Sequence, residues 1–256
     1  MKILIPAVAI AALVPLLSCT KVVDINLNKS NPKYVIEGNV TDQRGPYQVA
    51  ITRTVNFDES NSYPPVSGAL VIIADATMGI TDTLSEQRPG RYLTGRIAGA
   101  SGHSYRLAVT ISGATFAAVS TMPLLVRLDT IVQGTGGFSR EAQVIPVYAD
   151  PAGTANYYLF LVTKKDTAQR ELSVRNDVGT DGAVASRPLR TDAEIGDPIT
   201  VEMQCIDLPN YDYFFGLVQD LRQTTATPSN PTSNISGGAL GYFSAHTTQR
   251  RTIVLR

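Results

Sequence analysis

Short runs of apolar and β-branched residues recur along the chain from Lys33 onward, separated by Gly, Pro, Asn or Asp. Examples are YVIEGNV with its predicted partner YQVAITRT, then ALVIIAD, then a predicted hairpin of SYRLAVTISG and ATFAAVSTMP about Ser112-Gly113. Such runs are typical of β-strands. Roughly seven precede Met122-Pro123, at the spacing of a β-sandwich. We predict a mostly β fold of two tandem β-sandwich domains, residues 33–122 and 123–256, with a single continuous β body as the alternative.

The second half continues the strand pattern and adds one helix. We predict that EAQVIPVYADP and ANYYLFLVTKKD are paired strands, that ITVEMQCID is a strand, and that GYFSAHTT and RRTIVLR are two final strands. Residues 177–197 are predicted to be mostly loop. In LPNYDYFFGLVQDLRQT, aromatic and aliphatic residues repeat at helical spacing, with Asp207 or Asn210 as the N-cap. We expect this helix to pack over a face or end of the second sandwich.

The N-terminus has the layout of a secretory signal. Lys2 precedes an apolar run, Ile3 to Leu17, that is shorter than the roughly 20 residues of a membrane span. Leu16-Leu17-Ser18-Cys19 resembles the bacterial lipobox. We predict that residues 1–18 are a lipoprotein signal peptide, that Cys19 carries the lipid, and that residues 19–32 form a tether. An ordinary signal peptide with a chance cysteine is the alternative.

Charge and cysteine content narrow the classes of function. Lys and Arg together number 22, as do Asp and Glu, and removing the signal leaves the body one unit negative. This balance argues against nucleic acid as a partner, because its binders need a basic patch. If Cys19 is lipidated, Cys205 has no disulfide partner. Its apolar surroundings predict a small buried hydrophobic residue, with a reactive thiol as the alternative.

Several segments together resemble one known family. The first half carries VSGALVII, TDTLSE, PGRY and GHSYRLAVTISGATFAAVSTMP, and the second carries ITVEMQCID, YDYFFGL and NPTSNISGGALGYFSA. They resemble a Bacteroidota lipoprotein family catalogued as domain of unknown function 4249 (DUF4249), over nearly all of Lys33 to Leu255. The resemblance implies an outer-membrane lipoprotein of a kind often encoded near TonB-dependent transporters, and so a partner role by association, but it supplies no activity. The first half is also similar to Ig-like, carboxypeptidase-regulatory β-sandwiches, which are usually non-catalytic.

Motifs for catalysis and metal binding are weak. His103 and His246 are the two histidines, and neither belongs to a pair with metal-ligand spacing. No G-x-S-x-G elbow occurs, which makes a hydrolase the less favoured reading. Asn176-Asp177 and Asp181-Gly182 offer oxygens for calcium but lack EF-hand spacing, which favours a solvated loop. We predict no enzyme activity, no cofactor and no metal.

The sequence offers three sets of candidate functional residues. The first is a loop that would face a ligand or a partner: Asn234, Ser236, Gly237, Gly238 and Tyr242. The alternative role of its glycines is to allow positive φ and close approach of chains. The second is exposed tyrosines that could contact a ligand: Tyr63, Tyr211 and Tyr213. The third is O-glycosylation at Asp-Thr-apolar motifs: Thr83, Thr130 and Thr167.

The function predicted from these features is that of a non-catalytic lipoprotein anchored in the outer membrane. It would bind or assist a TonB-dependent transporter, and its periplasmic or cell-surface orientation stays open. A structural or adhesion module of the envelope is the alternative.

Overall fold

A computed structural model of the protein describes residues 32–55, 62–135, 142–164, 170–221 and 230–256. The described residues form fifteen strands and one helix, which confirms the predicted mostly β fold. In chain order the elements are β1 (Tyr34–Thr41), β2 (Gln48–Arg53), β3 (Leu70–Asp75), β4 (Ile80–Thr83), β5 (Ser85–Arg88), β6 (Arg91–Leu93), β7 (Ser104–Ile111), β8 (Ala114–Thr121), β9 (Leu128–Thr135), β10 (Ala142–Ala149), β11 (Tyr157–Lys164), β12 (Arg170–Asn176), β13 (Val184–Ala185), β14 (Pro198–Ile206), α1 (Leu208–Leu221) and β15 (Leu240–Val254).

The strands form three sheets, and β15 lies in the middle of the largest. The eight-stranded sheet has the order β12-β11-β14-β15-β1-β2-β6-β5. Residues 240–246 of β15 pair with β1 in parallel, and residues 247–254 pair with β14 antiparallel. The prediction of two separate final strands was wrong. The segment SAHTTQRRT contains no Gly or Pro to break the strand, so β15 changes its partner without turning.

The first hydrophobic core lies between β1, β2 and the first half of β15 on one side and the four-stranded sheet β4-β3-β7-β8 on the other. Alternate residues of each strand enter it, such as Ile36 and Val40 on β1 and Leu107 and Val109 on β7. The predicted β1–β2 pair and β7–β8 hairpin are both confirmed. Ser112 and Gly113 have φ of 48° and 85° in the hairpin turn, as a type I′ turn requires at both positions.

The C-terminal segment completes this first core. Ile235, Ala239, Phe243 and Ala245 belong to the same buried cluster as the residues of β1 to β8. The N-terminal core therefore includes side chains from near the end of the chain.

The second core lies between β11 and β14 of the large sheet and the three-stranded sheet β13-β10-β9. The predicted pairing of EAQVIPVYADP with ANYYLFLVTKKD was wrong. β10 pairs with β9 and β13, and β11 pairs with β12 and β14. The two strands face each other across the core, where the rings of Tyr148 and Tyr158 have centroids 4.9 Å apart. Residues 150–156 thus carry the chain from one sheet to the other.

Helix α1 covers the opposite face of the large sheet at this end. Tyr213 and Phe214 of the helix pack against Leu159, Leu161 and Ile206. Because β11 is buried on both faces, its sequence is continuously apolar, as expected for a covered central strand. No helix in the described ranges is long and apolar enough to cross a membrane.

The helix begins after Asp207, which is its N-cap. Oδ1 of Asp207 accepts a hydrogen bond from the backbone N–H of Asn210 at 3.2 Å. Oδ2 accepts from the Ser120 hydroxyl at 2.7 Å and from the Thr121 N–H at 3.0 Å. Of the two residues predicted as the cap, Asp207 takes this role, and it also joins the helix to β8. Asn210 lies inside the helix and donates from its amide to the Phe243 carbonyl at 3.0 Å.

Candidate binding groove on the large sheet

Helix α1 covers only part of the outer face of the large sheet. Its contacts are with β11, β12 and β15, and beside them β1, β2 and β6 expose polar side chains. Strand alternation explains this, since Ile36, Val40 and Val49 point into the core and their neighbours point outward. A groove of about 420 Å³ follows this outer face, and we call it the β1–β2 groove. Its lining residues are Glu37, Asn39, Thr41, Arg44, Pro46, Tyr47, Gln48, Ala50, Thr52, Arg91 and Tyr242.

Tyr242 forms the wall of the groove on the helix side. Its ring lies 5.1 Å from that of Tyr213 and 4.8 Å from that of Phe214, measured between centroids. Its hydroxyl accepts a hydrogen bond from the Asn39 amide at 3.4 Å. Burial, the Glu37 carboxylate and the Tyr242 hydroxyl raise the pKa of Tyr213 to about 12, which keeps that phenol neutral. The wall is therefore a packed aromatic surface with a fixed polar tip.

The floor and far side of the groove are polar. Gln48 and Arg91 also line an adjoining hollow together with Arg88. Neither Arg44 nor Arg91 forms an ion pair among the described residues, whereas Glu37 is the one carboxylate of the groove lining. Guanidinium groups bind carboxylates and phosphates through paired hydrogen bonds. The arrangement suits an anionic or hydroxyl-rich ligand, or a polar loop of a partner protein.

The predicted ligand loop is largely engaged within the fold. The Asn234 side chain pairs with the edge of β15, accepting from the Phe243 N–H at 3.0 Å and donating to the Phe243 carbonyl at 2.7 Å. It thereby satisfies backbone groups as a neighbouring strand would. The hydroxyl of Ser236 donates to the Ala117 carbonyl at 2.9 Å, and its N–H donates to the same oxygen at 2.8 Å. These two side chains fasten the segment to β15 and β8.

Two glycines of this segment allow close backbone approach. A Cβ on Gly241 would lie 2.1 Å from the Ile36 carbonyl oxygen, and one on Gly237 would lie 2.8 Å from the Thr115 carbonyl oxygen. Gly238 also has a positive φ, 84°, but would meet no atom within 4 Å. Gly238 is exposed and Tyr242 lines the groove. Ligand or partner binding by this loop stays a prediction.

The candidate tyrosines are placed differently. Tyr213 packs against Tyr242 at the groove wall. Tyr211 stacks with Phe215 at 5.7 Å and packs against Tyr157 at 5.0 Å along the helix. Tyr63 is 58% exposed and is not among the residues that line the groove. Of the three candidate tyrosines, only Tyr213 therefore packs against a residue of the predicted loop, Tyr242.

His103 has a structural partner. Its Nδ1 lies 2.8 Å from Oδ2 of Asp75, whose other oxygen accepts from the N–H groups of Thr77 and Met78. Burial opposes the ionised form of Asp75, but the hydrogen bonds from His103, Met78 and Thr77 outweigh it and lower the pKa of this carboxyl. The group fixes the turn between β3 and β4.

His246 is buried beside Ser244, whose hydroxyl lies 3.0 Å from Nδ1. The two residues are 3% and 1% exposed, so this serine–histidine pair is closed to a substrate. Burial lowers the pKa of His246 to about 4, against the opposing effects of Glu202 and Asp42. The imidazole is therefore neutral at pH 7.

The remaining predicted residues are partly described. Cys205 is buried in the second core, as its apolar strand predicted, and burial raises the pKa of its thiol. Thr83 and Thr130 are exposed, while Cys19 and Thr167 lie outside the described residues. Asp82, next to Thr83, is buried and accepts from the N–H groups of Gly95, Arg96 and Ile97.

Glu37, Gln48 and Arg91 of the groove lining are not among the residues predicted from the sequence. The alternation in YVIEGNV and YQVAITRT could have placed Glu37 and Gln48 on the outer face. Arg91 reaches the groove because β6 pairs with β2, which no local pattern indicates.

Comparison with known proteins gives a family and no activity. No curated protein matches the chain. The family model described as "Domain of unknown function (DUF4249)" matches residues 20–252. The chain belongs to this family.

Proposed function

We propose that this member of the DUF4249 family is a lipid-anchored, non-catalytic binding protein of the outer membrane, and that it assists a TonB-dependent transporter. The observation that carries the proposal is the β1–β2 groove, which combines arginines that form no ion pair with another described residue and a packed tyrosine wall on a central sheet. We further propose that partner or ligand contacts are made there.

The placement of the groove residues favours binding. Glu37 and Gln48 project from paired strands, so their backbone positions are fixed before a ligand arrives. A site whose residues already have the positions needed for binding loses little conformational freedom when the ligand binds. The guanidinium groups of Arg44 and Arg91 then supply orientation, and Tyr242 supplies apolar contact area.

The architecture and the anchor belong to the same proposal. We propose that the fold consists of two tandem β-sandwiches, residues 33–122 and 123–256, and that β15 contributes to both. The signal over residues 1–18 and the lipobox ending at Cys19 support lipid anchoring. The non-catalytic assignment is supported by the two histidines, since His103 holds a turn and His246 is closed to substrates.

A pulldown from the native outer membrane tests this function. The tagged, lipidated protein is extracted in mild detergent, and co-purified proteins are quantified by mass spectrometry. We expect a TonB-dependent transporter in near-stoichiometric amount. Arg91→Glu should reduce its recovery about tenfold or more, as for a central interface residue. Arg106→Glu is the matched control, because Arg106 is an exposed strand arginine of the four-stranded sheet.

The alternative function, a structural or adhesion module, has one specific observation in its favour. Leu208, Phe215 and Leu221 of α1 are 47%, 45% and 64% exposed, which gives the helix apolar surface that the described residues leave uncovered. Recovery of other envelope proteins without a transporter, and unchanged by Arg91→Glu, would favour this alternative over transporter assistance.

A further inference from the structure

Three carboxylates from two connecting segments meet at one end of the second core. Asp150 follows β10, Asp177 follows β12, and Asp181 lies in the turn between β12 and β13. One carboxylate oxygen of each lies within 4.8 Å of the other two. Like charges at such separations repel, so the arrangement favours a bound cation.

Two buried side-chain oxygens, one in this cluster and one in the neighbouring Asn156, have no hydrogen-bond partner among the described residues. Asp150 is only 4% exposed, and its Oδ1 accepts from the Tyr158 hydroxyl, but its Oδ2 is buried and unpaired. Oδ1 of Asn156 is likewise buried and unpaired, and the N–H of Asn156 donates to Oδ2 of Asp177 at 2.9 Å. Buried polar atoms nearly always have a partner, so the unpaired buried oxygen of Asp150 points to a ligand at this cluster.

The rest of the local hydrogen bonding holds these groups in position. The Gly153 N–H donates to Oδ1 of Asp181 at 2.7 Å, which ties the 150–156 connection to the turn. The Asp150 N–H donates to the Ala183 carbonyl at 2.9 Å.

We propose that Asp150, Asn156, Asp177 and Asp181 bind a divalent cation, and that this cation is Ca²⁺. The donors are carboxylate and amide oxygens, which hard cations prefer, and no His or Cys takes part. Oxygens bound to one Ca²⁺ at about 2.4 Å lie at most about 5 Å apart, a limit that the three carboxylates already meet. Water and backbone carbonyls would complete the six to eight ligands that Ca²⁺ takes.

The cation would join two layers of the fold. β10 belongs to the three-stranded sheet, and β12 is an edge strand of the eight-stranded sheet. Binding at the ends of both strands would therefore stabilise the folded protein through preferential binding to the native state. Because the donors come from the 150–156 and 177–183 connections, the spacing within either segment alone does not reveal the complete site.

Calcium titration of the full-length protein in detergent tests the proposal. Isothermal calorimetry in calcium-free buffer should give one Ca²⁺ per chain, and saturating Ca²⁺ should raise the Tm by about 5 °C or more. Tb³⁺ gives an independent readout, since the chain has no Trp and Tyr158 contacts Asp150, so excitation of tyrosine should sensitise Tb³⁺ luminescence.

Two substitutions separate the site from general charge effects. Asp181→Asn removes one charge at an exposed position and keeps an oxygen for the Gly153 N–H, so the variant should fold yet bind Ca²⁺ at least tenfold more weakly. Asp212→Asn, on the exposed side of α1, should bind like the unmodified chain. Absence of heat and of a Tm shift at about 10 mM Ca²⁺ would overturn the site, since weak extracellular sites bind below that concentration. Equal binding by Asp181→Asn, or tighter binding of Mg²⁺ than of Ca²⁺, would overturn the assignment.

Discussion

Gly241→Ala should destabilise the protein far more than the same change at Gly238. Both glycines have positive φ, 94° and 84°. A Cβ on Gly241 would lie 2.1 Å from the Ile36 carbonyl oxygen and 2.9 Å from its carbon, whereas a Cβ on Gly238 would meet nothing within 4 Å. The alanine at 241 must therefore push β15 away from β1 at the second pair of their parallel ladder.

The magnitude follows from two costs. Placing a non-glycine residue in the left-handed region costs about 1–2 kcal/mol, and this cost applies at both positions. Separating the strands at Gly241 additionally weakens neighbouring ladder hydrogen bonds, at about 1 kcal/mol for each of about two bonds. We expect a loss of about 3–4 kcal/mol for Gly241→Ala and about 1–2 kcal/mol for Gly238→Ala.

Thermal unfolding followed by circular dichroism measures the difference. At about 2–4 °C per kcal/mol for a chain of this size, the Tm should fall by about 10 °C for Gly241→Ala and by about 4 °C for Gly238→Ala. Equal losses for the two variants would refute the argument, because they would mean that contact with β1 does not determine the cost at Gly241.

Four further predictions concern individual groups. Asp82→Ala should cost about 3 kcal/mol in urea unfolding at pH 7, because three backbone N–H groups lose their acceptor. Burial opposes ionisation of Asp82, but the hydrogen bonds from Arg96, Gly95 and Ile97 outweigh it and lower the pKa of this carboxyl. The ionised Asp82 side chain therefore stabilises the fold fully above the unfolded pKa of about 3.9. As the pH falls below that value, the difference in unfolding free energy between the unmodified chain and Asp82→Asn should shrink. Because the pKa of His246 is lowered to about 4, the free energy of unfolding should fall as the pH drops below the unfolded value of about 6.5. Replacing His246 by Gln (His246→Gln) should remove about 2 kcal/mol of the stability lost between pH 7 and pH 5. An unchanged pH profile of stability in this variant would contradict the prediction. Cys19→Ser should move the protein from the membrane to the soluble fraction. The intact mass of the protein purified from its native host should exceed the mass of the lipidated polypeptide, because of glycans on threonine. The excess mass should disappear when Thr83, Thr130 and Thr167 are all replaced by Ala.

Local features of the fold could be predicted from the sequence. Alternation identified β1 and β2, the Ser112-Gly113 turn placed the β7–β8 hairpin, and helical spacing identified α1. In each case the signal lies within about 20 adjacent residues, because hairpins and amphipathic helices are local structures.

Partner choice between distant strands could not be predicted. Nothing in the sequence of β10 distinguishes pairing with β11 from packing across the core against it, since an apolar strand is compatible with both. The change of partner within β15 is equally invisible, because both halves show strand composition. Arg91 and Tyr242 come to the β1–β2 groove only through such distant strand pairing. Asp150 likewise meets the turn that carries Asp177 and Asp181 only through contacts distant in sequence.

Photo-crosslinking in living cells would test whether the β1–β2 groove contacts a transporter. A benzophenone-bearing amino acid replaces Gln48, which is exposed within the groove, or Arg106, which is exposed on the four-stranded sheet. We predict a crosslink from position 48 to a TonB-dependent transporter and none from position 106. No transporter crosslink from position 48, or the same crosslink from both positions, would contradict binding in the groove.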